Sequence, residues 1–458
     1  MSIEHAVEKL QVLLGARLSL NNSDLELHGR SETYHAPANP DAVAFPRNTE
    51  EVSALVKICA DEHCPVIGFG VGTSLEGQTQ APLGGISVDF REMKAIRTLR
   101  QEDMDATVEP GLTREELNDE LRATGLFFPV DPGANATLGG MAATRASGTT
   151  AVRYGTMRDN VLGLEVVLAD GRIIRTGTRA RKSAAGYDLT ALMIGSEGTL
   201  GLITALDLKL QGQPEAVTAA ICAFESIDAA VSCVIETIQL GLSMARIEFV
   251  DTASVAAFNK QSKAGMPEMP HLLLEFHGTE TGVSEMAAVF GDIAADHGGL
   301  GFEWATKRED RDALWHMRHN AFYAIKQSRP GCLSIVTDIC VPISRLADAV
   351  NETIADLAAS GLSGPILGHV GDGNFHAILL VDPDSPQELN SAKLASERMV
   401  KRALAMGGTA TGEHGIGIGK LPFMTAEHGD GWEVMGDIKK ALDPLNIMNP
   451  GKLVPPSN

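Results

Sequence analysis

Residues 65–77 read PVIGFGVGTSLEG, an apolar run that leads directly into a loop in which glycine recurs. Such a pattern predicts a buried strand that feeds a tight turn. Upstream, Asn48 begins a capping-box pattern, and VSALVKICADEH carries helical apolar spacing. The segment therefore predicts a helix, a strand and a loop whose backbone N–H groups can approach a phosphate.

Two further glycine-rich stretches, at 132–149 and 195–201, share this character. None of the glycine runs fits a standard nucleotide fingerprint. GFGVGTSLEG lacks the last glycine of GxGxxG, and in the later run GIGIGK the P-loop positions are occupied by His414 and Leu421. An ordinary tight turn explains any one of these loops alone. Three of them within about 200 residues favour a dinucleotide site of another fold.

The composition is typical of a globular protein, with 44% hydrophobic and 21% charged residues. The length of 458 residues predicts two to three domains. The net charge of −21 argues against nucleic acid or an anionic membrane surface as a partner. The six cysteines form no CxxC pair, so we expect free thiols. No apolar run of about 18 residues occurs, and the N-terminus resembles an amphipathic helix rather than a signal. A cytoplasmic location is predicted.

Local sequence patterns predict secondary-structure elements and a first domain boundary. Residues 164–177 alternate around an Asp-Gly pair and predict a hairpin, and a helix is expected from Thr113 to a stop at Gly125. The polar, proline-containing stretch 211–217 is the first predicted boundary. Beyond it, helical and strand patterns alternate, which predicts an α+β fold.

The stretch GHVGDGNFH, residues 368–376, places two histidines around a polar turn. A turn built on Asp372-Gly373 would pair His369 with His376 directly across a hairpin. Their Cβ atoms would then lie roughly 5 Å apart on one face. That arrangement suits two ligands of one metal ion or a polar cross-strand pair, and spacing alone leaves both open.

The order of these motifs, followed by GEHGIGIGK and DPLNIMNPGKL, resembles the FAD-linked 2-hydroxy-acid dehydrogenases of the vanillyl-alcohol-oxidase (PCMH) type. The resemblance covers about residues 40–454. It implies an α+β protein with an FAD-binding domain over 1–212, a cap or substrate domain over 213–410 and a segment, 411–458, that returns to the flavin. The motif variants are most similar to the cytochrome-linked D-lactate dehydrogenase branch.

The resemblance implies FAD contacts along the first half of the chain and near its end. The loop at 70–74 would hold the pyrophosphate, and later residues would line the flavin, reach the adenine or ribose, or close the site. Residues 68–78 contain no histidine for covalent attachment, so non-covalent FAD is predicted. The predicted contacts are Gly70, Gly72, Thr73, Ser74, Pro132, Gly133, Thr137, Gly140, Gly148, Glu197, Gly198, Ile203 and Asn449.

The same resemblance also implies which residues bind the metal and the substrate. His369, His376 and Glu413 would hold a divalent metal, zinc or manganese, a donor set that suits either ion. His414 would be the base for the substrate hydroxyl. Arg318 would bind the substrate carboxylate bidentately. Asn374 forms the turn, and its contact with flavin or substrate is left open.

The implied reaction is hydride transfer from C2 of a D-2-hydroxy acid, foremost D-lactate, to flavin N5. Phe322, one helical turn past Arg318, would form an apolar wall for a short side chain. The alternatives are a D-2-hydroxyglutarate dehydrogenase, the flavin subunit of a glycolate oxidase, a flavin-free metal hydrolase and a non-catalytic flavin subunit. Expected partners are a small anionic acid and an external acceptor: a cytochrome, a quinone or an electron-transfer flavoprotein. A homodimer, and peripheral membrane attachment through the acceptor, are also open.

Overall fold

A computed structural model describes residues 2–262, 265–305 and 307–455. The chain divides into two compact units, and the C-terminal segment belongs to the same unit as the N-terminus. Unit 1 comprises Met1–Ser147, Gly155–Gln213 and Glu413–Asn458, and unit 2 comprises Gly148–Tyr154 and Pro214–Gly412. The division into an FAD-binding domain over 1–212, a cap or substrate domain over 213–410 and a segment over 411–458 that returns to the flavin stays a prediction.

Unit 1 combines short helices with three small sheets. Its α-helices are Ile3–Leu14, Asn22–His28, Thr49–Glu62, Arg114–Leu121, Leu138–Thr144, Met157–Asn160, Leu189–Met193, Met424–His428 and Asp430–Leu442. Its 3-10 turns are Gly15–Arg17, Phe90–Glu92, Arg122–Thr124 and Leu421–Phe423. Its strands are Leu18–Ser19, Ala42–Ala44, Val66–Phe69, Ile86–Asp89, Ile96–Arg100, Asp105–Val108, Leu126–Phe127, Val161–Val167, Ile173–Arg175, Leu202–Lys209 and Gln211–Gly212.

The two larger sheets of unit 1 are built differently. In the four-stranded sheet, Val66–Phe69 runs parallel to the neighbouring strand Ile86–Asp89 at the sheet edge. The five-stranded sheet is antiparallel, with Leu202–Lys209 at its centre. Each sheet has its own apolar cluster, around Val66 in the first and Leu206 in the second.

Several local predictions for unit 1 are confirmed. The helix Thr49–Glu62 begins where expected, because the Asn48 side chain accepts the amide of Glu51 at 2.9 Å. The strand Val66–Phe69 leads into the glycine loop. The predicted hairpin is present, with Gly171 at a φ of 78° in its turn. All six cysteines are free thiols, as expected.

Unit 2 alternates helices with the strands of one large sheet. Its α-helices are Ala151–Tyr154, Ile227–Gln239, Thr252–Ser262, Glu280–Asp296, Arg308–His319, Ala321–Ser328, Leu346–Ala359 and Pro386–Ala405, with a 3-10 turn at Ile343–Arg345. Its strands are Ala216–Ala223, Met244–Val250, His271–Gly278, Leu300–Ala305, Leu333–Val336, Ile339–Cys340, Ile366–Gly368 and Asn374–Val381. The strands pair antiparallel, and Met244–Val250 lies beside Ile366–Gly368.

The predicted register of the histidine hairpin is wrong. Leu367, rather than His369, pairs with His376, and the loop closes over residues 370–373 with Gly373 at a φ of 78°. The strand Ile339–Cys340 pairs with the start of the second hairpin strand, and the Val341 amide donates to the Gly373 carbonyl at 3.0 Å. Pairing with this distant segment fixes the turn, and the Asp-Gly hairpin rule does not include such a pairing because it considers only neighbouring residues. His369 is therefore diagonal to His376 on the same face.

The helix that carries Arg318 also differs from expectation. It ends at His319, and a new helix, Ala321–Ser328, follows Asn320, whose side chain donates to the His316 carbonyl at 2.8 Å. Phe322 therefore does not continue the Arg318 helix. Its ring packs against an apolar cluster that includes Phe258. The prediction that Phe322 lies one turn past Arg318 on the same helix is wrong, and an apolar wall for the substrate stays a prediction.

Candidate active site

A fully buried carboxylate joins two of the predicted site residues in unit 2. Glu248 Oε1 accepts a hydrogen bond from His369 Nδ1 at 2.6 Å, and its other oxygen accepts one from Arg318. Burial alone would raise the pKa of Glu248, but the contacts with His369 and Arg318 outweigh it and hold that pKa below its ordinary value. The site therefore contains an anion that binds the predicted metal ligand and the predicted carboxylate-binding group together.

The two hairpin histidines present similar ring nitrogens. Their ring centroids lie 5.6 Å apart at an interplanar angle of 81°. His376 Nδ1 donates to the Thr337 carbonyl at 3.1 Å and lies 3.7 Å from Asp338 Oδ1. Because each Nδ1 faces an oxygen acceptor, each neutral ring carries its lone pair on Nε2, as in metal-binding histidines. The pair fits a metal centre.

Asn374 is held between its own strand and a neighbouring segment. Its Nδ2 donates to Asp338 Oδ1 at 2.7 Å and to the Ile339 carbonyl at 2.9 Å. Asp338 also accepts from Thr411 Oγ1 at 2.7 Å. A Cβ at Gly412 would lie 2.1 Å from Asn374 Nδ2, so only glycine fits there. Asn374 Oδ1 is buried and has no hydrogen bond within the described residues, which suits contact with a ligand.

Arg318 lies in the last turn of its helix and is only 8% exposed. Its Nε has no hydrogen-bond partner among the residues that the structure describes. One turn earlier on the helix, the Trp315 ring lies 4.6 Å from the guanidinium of Arg246, which pairs with Glu275 at 3.5 Å. Unit 2 thus contains a buried guanidinium, that of Arg318, and a half-buried one, that of Arg246, and Arg318 retains a donor for an anionic ligand.

Sequence reasoning missed Glu248, Asp338 and Arg246. A signal was present, because each is a charged residue inside an otherwise apolar strand pattern, in ARIEFV or SIVTDIC. A buried charge of this kind is expected to have a partner. The partners lie 121 residues away for Glu248 and His369, and 36 residues away for Asp338 and Asn374, so local patterns could not identify them.

Two predicted FAD loops meet in unit 1. A Cβ at Gly70 would lie 2.3 Å from Thr137 Oγ1, and one at Gly140 would lie 3.0 Å from the same atom. Thr137 is the N-cap of the helix Leu138–Thr144. Ser74 Oγ is buried and makes no hydrogen bond to any described residue, and a Cβ at Gly133 would meet nothing within 4 Å. Polar, open backbone of this kind fits a dinucleotide.

The remaining predicted cofactor residues lie in both units. Gly72 has a φ of 73° in the first glycine loop, which also contains Thr73. Pro132 precedes Gly133 in the second loop. Ile203 is 7% exposed in the central strand Leu202–Lys209, and Gly148 belongs to unit 2. Their contacts with FAD stay predictions.

Glu197 binds the backbone of the C-terminal segment of unit 1. Its carboxylate accepts the amides of Ile416 at 2.7 Å and Gly417 at 2.8 Å. Burial raises the pKa of Glu197, and these amides oppose that rise only in part. Asn449 Nδ2 donates to the Glu197 carbonyl at 2.6 Å, beside Gly198. The predicted contact of this region with adenine or ribose stays a prediction.

Glu413 and His414 lie at the start of that segment, within unit 1. Ser147 Oγ donates to Glu413 Oε2 at 2.9 Å, and Gln78 Nε2 donates to the His414 carbonyl at 2.7 Å. Gly415 follows at a φ of 81°, where a Cβ would lie 2.3 Å from Glu197 Oε1. The segment is therefore fixed closely on both sides of His414.

Comparison with known proteins identifies the family. Residues 40–177 match the model for an FAD binding domain, and residues 213–453 match the C-terminal domain of FAD linked oxidases. A probable mitochondrial D-lactate dehydrogenase of Danio rerio is 50% identical, over 99% of this chain and 92% of the relative. A mitochondrial D-lactate dehydrogenase [cytochrome] of Arabidopsis thaliana is 44% identical, over 98% and 80%. The glycolate oxidase subunit GlcD of Bacillus subtilis is 36% identical, over 90% and 89%.

The solved structures include a 4-ethylphenol oxidase from Gulosibacter chungangensis, at a TM-score of 0.79 and 18% identity, covering 99% of this chain and 97% of that one. At that identity the likeness concerns the fold alone, and it confirms the predicted α+β architecture. The two matched domains and the 50% identical relative together decide the family. The chain belongs to the FAD-linked oxidases and has the vanillyl-alcohol-oxidase-type (PCMH) fold.

Proposed function

We propose that the chain is a dehydrogenase that oxidises a D-2-hydroxy acid, foremost D-lactate, to the 2-oxo acid. The observation that carries the proposal is the contact of Glu248 with both Arg318 and His369. It joins a buried guanidinium suited to a carboxylate and an imidazole suited to a metal. The names of the two D-lactate dehydrogenase relatives support the choice of substrate.

The residues divide the work between binding and proton transfer. Arg318 binds the substrate carboxylate through guanidinium donors that Glu248 does not use. His414 takes the proton of the substrate hydroxyl, since an imidazole titrates near neutrality. FAD, when bound non-covalently in unit 1, supplies the hydride acceptor. Zinc or manganese on His369, His376 and Glu413 would acidify the substrate hydroxyl.

The substrate side chain is proposed to be short. Arg246, a half-buried guanidinium, is already paired with Glu275, so its charge is matched without a second substrate carboxylate. This favours a monocarboxylate over D-2-hydroxyglutarate. Glycolate, the substrate in the name of the Bacillus subtilis relative, is the second candidate. A flavin-free metal hydrolase is disfavoured by the match to an FAD binding domain.

The electrons are proposed to leave for a cytochrome, the acceptor in the name of the Arabidopsis thaliana relative, with a quinone or an electron-transfer flavoprotein as alternatives. Among the described residues, no helix is both long and apolar enough to cross a membrane. Both D-lactate dehydrogenase relatives are named mitochondrial. The cytoplasmic location, attachment to a membrane through the acceptor and a homodimer stay predictions.

The deciding experiment is a panel of D- and L-2-hydroxy acids with an artificial electron acceptor. We expect the highest kcat/KM for D-lactate or D-2-hydroxybutyrate, a lower value for D-2-hydroxyglutarate and none for the L enantiomers. Highest activity on glycolate would select the second candidate. Activity confined to L-acids, or absent for every acid, would contradict the proposal.

A further inference from the structure

Glu248 is the one buried carboxylate among the described residues that contacts both Arg318 and His369. We infer that Glu248 is a positioning residue, which fixes the substrate's carboxylate-binding group relative to a metal ligand. The inference rests on the proposed function, because it assigns Arg318 to the substrate and His369 to the metal.

The geometry of a single carboxylate explains the coupling. Oε1 accepts from His369 and Oε2 accepts from Arg318, and both oxygens belong to one rigid planar group. The side chain of Glu248 is fully buried, on a strand beside the one that leads to His369. Neither partner can therefore rotate without breaking a charge-assisted bond to a fully buried carboxylate.

The same contact determines which donors Arg318 offers. Glu248 binds Nη2 at one end of the guanidinium, while Nε has no partner among the described residues. A guanidinium has five donors in a fixed planar arrangement, so occupying one end orients the others. On the metal side, a carboxylate on Nδ1 fixes the tautomer and increases the basicity of Nε2. One residue thus prepares both anchoring points for a 2-hydroxy acid.

The test compares Glu248→Gln with the wild-type holoenzyme. Glutamine keeps the size but replaces one carboxylate oxygen with an NH2 group, so either Arg318 or His369 faces a donor where it had an acceptor. We expect the dissociation constant for Zn²⁺ or Mn²⁺, measured by titration and elemental analysis, to rise about 10–100-fold. The KM for D-lactate at saturating metal should rise at least about tenfold, while FAD content is unchanged.

Asp251→Asn is the matched control. Asp251 is a buried carboxylate one residue beyond the end of the same strand, and it accepts the Ser254 amide at 2.7 Å. Asparagine preserves that acceptor. We expect the metal affinity and the KM of this variant to stay within about twofold of wild type.

Glu248→Asp provides a second variant if the glutamine variant does not fold. It keeps both oxygens and the charge but shortens the side chain, so positioning predicts a raised KM with metal affinity partly restored. A normal KM in Glu248→Asp would overturn the inference, as would unchanged metal affinity and KM in Glu248→Gln. Wild-type protein that oxidises no 2-hydroxy acid would instead refute the proposed function, so the two failures are distinguishable.

Discussion

Glu248 in unit 2 and Glu197 in unit 1 are both buried, at 0% and 5% exposure, yet their partners differ in kind. Glu248 accepts from the guanidinium of Arg318 and from the ring N–H of His369, and its pKa is lowered. Glu197 contacts the backbone amides of Ile416 and Gly417, and its pKa is raised. A guanidinium in direct contact with Glu248 helps to compensate its burial, whereas the amides and the weaker influence of the Lys452 charge compensate the burial of Glu197 only in part.

The difference between the partners of Glu248 and Glu197 indicates a different role for each carboxylate. A stable anion held by a guanidinium and an imidazole N–H organises groups that meet an anionic ligand and a metal. A carboxylate bound by amides holds a loop, here the glycine-rich segment after His414. Loss of charge should therefore impair substrate and metal binding at Glu248 but loop stability at Glu197.

The largest effect is expected for Arg318→Ala. The variant loses the proposed substrate anchor and leaves Glu248 buried with one partner fewer, a change that costs about 4 kcal/mol, or a thousandfold in kcat/KM. Steady-state kinetics with D-lactate measure it, and the flavin spectrum should show that FAD stays bound. The control is Arg329→Ala, which breaks a more exposed pair with Glu388 and should change kcat/KM less than twofold. If Arg318→Ala oxidised D-lactate with the kcat/KM of the wild type, the assignment of Arg318 to the substrate carboxylate would be wrong.

Metal removal should also abolish turnover, because His369, His376 and Glu413 are proposed to act through a bound ion. Chelation and dialysis should leave FAD in place and cut activity at least about a hundredfold, and added Zn²⁺ or Mn²⁺ should restore it. Elemental analysis before and after dialysis links the loss to the ion. Full activity in metal-free protein would refute the metal site.

An intermediate effect is expected for Glu197→Gln. Glutamine can accept only one of the two amides, which lowers the free energy of unfolding by about 1–3 kcal/mol. Thermal unfolding and FAD release measure this loss, while the KM for D-lactate and the metal affinity should be unchanged. A rise in KM like that of Glu248→Gln would mean that the two carboxylates do not differ in role.

The last effect, a dependence of stability on pH, concerns Lys452, whose amine donates to the Gln80 carbonyl at 2.6 Å. Burial lowers the pKa of Lys452 from 10.5 to about 7, although the charge of Glu197 opposes this. Between those pH values the unfolded amine binds its proton and the folded amine does not, so raising the pH favours the folded state. The unfolding midpoint of wild type should therefore rise relative to Lys452→Met from about pH 7 to about pH 10. Unfolding midpoints of wild type and Lys452→Met that change in parallel with pH would contradict this prediction.

Local sequence signals predicted the Asn48 helix cap, the glycine-loop strand and the Asp-Gly hairpin, because each depends on neighbouring residues. Family motifs supplied Arg318, His369, His376 and Glu413. Sequence reasoning failed where distant segments decide the result, and at one local helix break. The histidine register is set by the strand Ile339–Cys340, and the position of Phe322 follows from a helix break at Asn320. Glu248 was overlooked because its importance comes from partners 70 and 121 residues away.

The most direct test of the central claim is anaerobic mixing of the purified, metal-loaded protein with D-lactate and, separately, with L-lactate. The flavin absorbance reports electron transfer without any external acceptor. We predict that D-lactate bleaches the flavin and yields one pyruvate per FAD, and that L-lactate leaves the spectrum unchanged. A flavin that no D-2-hydroxy acid reduces, or that L-lactate reduces equally well, would contradict the account.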